Sequence, residues 1–177
     1  MPSAPKIFID DFERSEFSDS IQAMIGRSLI LATRFDSKCI ELRRAVNIEE
    51  AIHFSEESAL EKMPEFVEQL YKNDMNLFNT IKSFKLEGDN IKILTKARIA
   101  RNGVAHKLCK DLLGCIETNM LVSSDFIIEE ITRLSKDIIE GEALISLIMS
   151  NFLNEPVLRF EFLELDKKRL LEWVVEL

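Results

Sequence analysis

Ala100-Arg101-Asn102-Gly103-Val104-Ala105-His106-Lys107 lies inside a helical pattern, and the reading of this stretch decides the fold. Around it Ile93, Ala97, Ala100, Val104, Leu108, Leu112 and Cys115 recur every three or four residues, the spacing of one apolar stripe on a helix from about Ile91 to Glu117. The alanines in the stripe leave room for a neighbouring helix to approach closely. The octapeptide also carries one of only two histidines in the chain.

Outward from this stretch the chain reads as helix after helix. On its N-terminal side, Gly88-Asp89-Asn90 is the clearest punctuation: Gly88 can close one helix and Asp89 or Asn90 can cap the next. Further back, Phe17, Ile21, Met24, Leu31, Phe35 and Leu42 predict a long amphipathic helix from about Ser15 to Val46, with Asn47 as a break. A second helix then runs to about Lys62. Pro64 suits the first turn of a third, with the stripe Val67, Leu70, Leu77, Ile81 and Phe84. Downstream, Ser123-Ser124-Asp125 caps a helix that buries Ile127, Ile131, Leu134, Ile138, Ile145 and Ile148, with Gly141 as a bend. Val157 to Glu161 alternates like a strand, and Asp166 caps a final helix to Val175. The expectation is an all-α antiparallel bundle of five to six helices in a single domain, 1–177. It divides into an arm (1–15), the bundle (16–153) and a C-terminal extension (154–177).

Composition agrees with a helical globular class: 177 residues, 46% hydrophobic and 31% charged, with five glycines and four prolines. No uncharged apolar run approaches the ~20 residues of a spanning helix, and Met1 to Phe17 does not resemble a signal peptide. Cys39, Cys109 and Cys115 have no paired spacing. A soluble, cytoplasmic chain without disulfides, metal or cofactor is therefore expected. Cys109 follows His106 by three residues, but a zinc site needs more ligands than this pair. Glu50-Ala51-Ile52-His53 has the spacing of a di-iron ligand pair without the second copy such a site requires. No G-x-S-x-G elbow and no glycine-rich phosphate loop occurs.

Charge sets the central segment apart. From Lys82 to Lys110 eight basic residues stand against Glu87 and Asp89, a net +6, while the whole chain is at −8 and the remainder therefore at −14. A basic helix on an acidic body can direct a local positive field at a phosphate backbone; it can also be a solvated face paired with acidic neighbours. Within it, arginine holds phosphate oxygens with parallel hydrogen bonds and histidine moves protons near neutral pH. Arg101 and His106 thus have the chemistry for metal-free RNA cleavage, with Asn102, Lys107, Arg98 and Lys96 as supporting or RNA-binding residues. DNA lacks the 2′-hydroxyl nucleophile. On a regular helix, positions five apart diverge by about 140°. A shared site therefore needs a distortion at Gly103, a nearby helix end, or a second chain. In the competing reading Arg101 pairs with a carboxylate and His106 is a half-buried hydrogen-bonding residue.

Arg101-Asn102-Gly103-Val104-Ala105-His106 resembles the R-x4-6-H signature of the HEPN superfamily, including the polar residue after the arginine. The resemblance implies an all-α bundle with the motif on a late helix, and a metal-independent endoribonuclease whose site is shared across a homodimer. Such a protein would act on RNA as a toxin or in phage defence, with an antitoxin or regulatory protein as a further partner and no membrane role. Arg101, Asn102 and His106 are the residues that carry over. Leu108 stands where HEPN toxins regulated by tyrosine modification have tyrosine. Some HEPN domains are non-catalytic, so a dimeric helical binding or regulatory module is the alternative expectation.

Overall fold

Ile21, Met24, Ser28, Leu31, Phe35, Cys39 and Leu42 all fall on one side of the first helix, and all are buried. That stripe is the spine on which the other helices pack. The computed structural model describes residues 16–54, 63–72, 75–108, 124–156 and 160–176. Among these there are six α-helices and no strand: α1 (Glu16–Phe54), α2 (Met63–Lys72), α3 (Leu77–Ser83), α4 (Gly88–Asn102), α5 (Ser124–Phe152) and α6 (Phe160–Val175). A π-helical segment, Gly103–Leu108, continues α4 directly.

The close approach of α4 to α5 comes from small residues. A Cβ placed on Gly141 would overlap the Cβ of Ala97 and crowd the ring of Phe35. At Gly103 it would sit 3.1 Å and 3.3 Å from the two terminal methyls of Leu134. Ala97 thus meets Gly141 while Gly103 meets Leu134, which makes α4 and α5 antiparallel. Ser28 and Ser135 share a buried hydrogen bond of 2.9 Å, and Lys38 reaches Ser146 at 2.8 Å, so α1 and α5 run in the same direction. Helix α6 packs against both and buries Val174. Its C-terminal carbonyls, including those of Trp173 and Val174, accept hydrogen bonds from Arg27 on α1, satisfying groups a helix end leaves open.

Several boundaries differ from the sequence expectation, each for a local reason. Asn47 does not interrupt α1, because a single asparagine costs a helix only ~0.7 kcal/mol and no glycine or proline lies near it. The third predicted helix is two: α2, and α3 with Asn76 as its cap, whose Oδ1 accepts from the Asn79 amide at 2.9 Å. Lys85, not Gly88, takes the left-handed conformation just past the end of α3 (φ 52°), and Gly88 (φ 63°) turns the chain into α4. The strand-like reading of the tail gives way to helix from Phe160 onward. Of the strand-like stretch Val157 to Glu161, Phe160 and Glu161 are helical, and Val157, Leu158 and Arg159 lie outside the described residues. Gly141 is a contact point of the bundle. Helix α5 closes with Asn154 in the left-handed region (φ 54°) and the Glu155 amide bonding back to the Ser150 carbonyl at 2.9 Å. Cys109, Lys110, Leu112, Cys115, Ser123 and Val157 lie outside the described residues, as does the side chain of His53.

No helix among the described residues is long and apolar enough to cross a membrane.

Candidate functional site

The site is built where α1, α3 and α4 meet. Leu94, Ala97 and Ala100 face the core, which turns Arg98 and Arg101 toward α1 and α3. Arg101 donates from Nε to Asp36 Oδ2 at 2.6 Å, and a terminal nitrogen lies 2.5 Å from the same oxygen. Its other terminal nitrogen donates to Asn102 Oδ1 at 3.2 Å. Of the five guanidinium N–H groups, these bonds use three and leave two for an incoming anion.

Asp36 is the residue that spacing could not reveal. It lies 65 positions from its partner, beside the stripe of α1, and nothing local marks it as more than one polar residue between Phe35 and Ser37. Burial pushes its carboxyl above the ordinary value of 3.8, with the Arg101 hydrogen bond and charge pulling the other way. Its Oδ1 is buried without a hydrogen-bond partner. Burial, with the Asp36 charge adding to it, raises the thiol of Cys39 one turn along.

Asp36, Arg101 and Asn102 line a cleft of about 480 Å³ with Arg98, Asn76 and Phe78. The Arg98 guanidinium lies 5.3 Å from the centre of the Phe78 ring, and Phe78 is exposed. Sequence periodicity placed Leu77 and Ile81 on the buried stripe of α3; that Phe78 points off this stripe was the one available signal for it.

The other expected site residues lie elsewhere. Lys96 belongs to a separate hollow against α5, with Arg133 and Asp137. Lys107 lies near Glu130, whose carboxyl is held below the ordinary range mainly by its two 2.8 Å hydrogen bonds from Arg133, with Lys107 adding to the effect. His106 is exposed, with no hydrogen bond or ion pair to a described residue. Arg101 does pair with a carboxylate, as the competing reading required. The basic segment is partly neutralised in the same way, Lys92 bonding Asp89 at 2.8 Å.

The regular helix ends between the two motif residues. From Gly103 the hydrogen bonds run i→i+5, so residues five apart approach one face where α-geometry would separate them. His106 lies in this segment and Arg101 just before it, which narrows their divergence. Thr95, Ile99, Asn102 and His106 then follow at intervals of four, three and four along an outward face, with Ile99 57% exposed. Among the described residues no group of three or more histidine, cysteine or acidic side chains could hold a metal ion. Comparison of the chain with protein-family models, with curated proteins and with solved structures finds no match.

Proposed function

We propose that the protein is a HEPN-like, metal-independent endoribonuclease, acting as a homodimer on cellular or phage RNA in the manner of a toxin or defence factor. The observation that carries the reading is the π-helical segment starting at Gly103, between an arginine with two free N–H groups and a solvent-facing histidine. π-Turns inside helices are rare and frequent at functional sites. In the reaction, the 2′-oxygen attacks the adjacent phosphorus and the bond to the 5′-oxygen breaks, leaving a 2′,3′-cyclic phosphate and a 5′-hydroxyl. His106 transfers a proton at the 2′-hydroxyl or at the leaving oxygen. Arg101 neutralises charge on the pentacoordinate phosphorus.

The outward face of Thr95, Ile99, Asn102 and His106 supports the dimer. A two-fold contact over Ile99 buries an exposed apolar side chain and sets the Asn102 and His106 of one chain against those of the other. Cleavage of a mixed-sequence RNA in the presence of a chelator, by wild type, Arg101→Ala and His106→Ala, tests the reading. Both variants are expected to lose at least a hundredfold in rate; wild-type activity that survives both substitutions, or a folded but inactive wild type, rules the reading out.

One observation favours a second reading. The Asp36–Arg101 ion pair occupies the arginine as a structural tie would, which fits a non-catalytic helical module that binds nucleic acid or a protein through its basic face. Such a module binds RNA and leaves it intact.

A further inference from the structure

Helix α6 is apolar on two sides. Its inward side, with Leu170, Leu171, Val174 and Val175, rests against the bundle. On its outward side Phe162, Leu165 and Trp173 are all exposed. With Arg169, also exposed, they follow one another at steps of three, four and four residues, which on a helix is a single line about 16 Å long. A surface helix ordinarily shows one apolar face. Single exposed apolar side chains are common, but three in line form the kind of patch that marks a contact with another protein.

The charges along the line say what that partner is. Asp166 and Arg169 stand one turn apart at its middle, both exposed, and neither bonds or pairs with a described residue. Lys167 and Lys168, by contrast, are engaged by Glu140, Glu164 and Glu172. When a second α6 is laid antiparallel on the first, about a two-fold axis between positions 167 and 168, Phe162 comes level with Trp173 of the second copy and Asp166 with its Arg169. Symmetry makes each match occur twice. Aromatic rings therefore meet at both ends and opposite charges meet in the middle. A parallel pairing would set Asp166 against Asp166 and Arg169 against Arg169. At the rim Glu161 comes near Glu172 of the second copy, where solvent screens the repulsion.

We propose that the outer face of α6 is a self-association surface, through which two copies of this chain pair antiparallel across a two-fold axis. It is separate from the contact over Ile99 on α4, and it joins dimers made through that contact to one another. A single helix pair of this length buries less than about 1,200 Å², the weak end of protein contacts, so half-association is expected at roughly 100 µM. At micromolar concentration the surface is open; it closes where the chains are locally concentrated.

Trp173 is the only tryptophan in the chain and is 38% exposed, so it reports the contact directly. The full chain carrying Ile99→Asp, which keeps the α4 contact out of the measurement, is followed by sedimentation velocity and tryptophan emission from about 5 to about 500 µM. The mass is expected to rise from 20.4 kDa toward twice that value, with a blue shift of the emission and weaker acrylamide quenching over the same range. Arg169→Asp and Asp166→Arg, each added alone, set like charges together and are expected to raise the concentration needed by roughly tenfold. An equimolar mixture of the two restores opposite charges at both positions and is expected to associate like the parent. Circular dichroism checks that each variant keeps its helices. A mass that stays at the monomer value throughout, association without a change at Trp173, single reversals that associate like the parent, or a mixture that fails to recover overturns the proposal. So does a Trp173 already blue-shifted and shielded from acrylamide in the dilute monomer, because another segment of the same chain then covers the line. None of these measurements involves RNA, so the self-association surface and the ribonuclease reading fail separately.

Discussion

Asp36 and Arg101 form an unequal pair. The carboxylate is the more buried partner, 18% exposed against 31%, and its folded pKa is raised because burial outweighs its bonds to Arg101. A raised carboxyl pKa means that its stabilisation is present below the unfolded value of 3.8 and lost as pH rises through the folded value. Ionisation of Asp36 therefore weakens the fold, and Arg101 limits the damage. Asp36→Asn should change stability by less than about 1 kcal/mol. Arg101→Ala, which strands the buried carboxylate, should cost about 2 kcal/mol. Chemical denaturation of the two variants checks the order, and a carboxyl-carbon NMR titration should place the Asp36 midpoint above 3.8. A reversed order, or a midpoint at or below that value, would mean that pairing dominates burial. The asymmetry also shapes the activity assay: Arg101→Ala belongs beside the Asp36→Asn/Arg101→Ala double variant, in which the stranded charge is gone.

The crossing of α4 with α5 depends on two glycines that are not equivalent. At Gly141 an added Cβ meets the Cβ of Ala97, which cannot rotate away, so the helices must separate. Gly141→Ala should destabilise the protein by about 2–3 kcal/mol, read from the shift in unfolding midpoint followed by the single tryptophan, Trp173. At Gly103 the obstacle is the tip of Leu134, which can shift by tenths of an ångström. Alanine there also removes the ~1 kcal/mol helix penalty of glycine. Gly103→Ala should therefore be nearly neutral for stability, within about 1 kcal/mol, and a large loss would show that the π-segment itself needs glycine. Separating the two helices at Gly141 would also loosen the helix that carries Arg101.

For the whole molecule the central expectation is the dimer. Light scattering at micromolar concentration should report a mass near twice 20.4 kDa. Ile99 stands on the same outward face as Asn102 and His106 and is exposed in the single chain. Ile99→Asp should shift the mass to the monomer value and lower cleavage in step with dimer loss, while the far-UV circular dichroism of the helices is retained. A monomeric wild type would remove the cross-chain pairing of Arg101 and His106. The π-helical narrowing of their separation would then have to serve within one chain.

What the amino-acid order determined by itself was the class and the stripes. Helical periodicity is a local property, so Leu31, Phe35, Ala97, Ala100, Ile131 and Ile138 could be assigned to buried faces one element at a time, and all are buried. Gly103 stood out for the same reason, as a glycine in the middle of a helical pattern, and the regular helix does give way there. At Asn47 a weak local preference for a break is outweighed by packing along the whole helix, which runs on to Phe54. Tertiary structure alone decided the cleft. Asp36, Phe78, Asn76 and Arg98 come from helices whose side chains meet only after the bundle closes, and the commitment of both asparagine oxygens is set by bonds made on folding. Periodicity reports which face of a helix is apolar; which polar groups face one another depends on how those faces are turned together, and that is settled by close contacts such as Ala97 on Gly141 and Gly103 on Leu134.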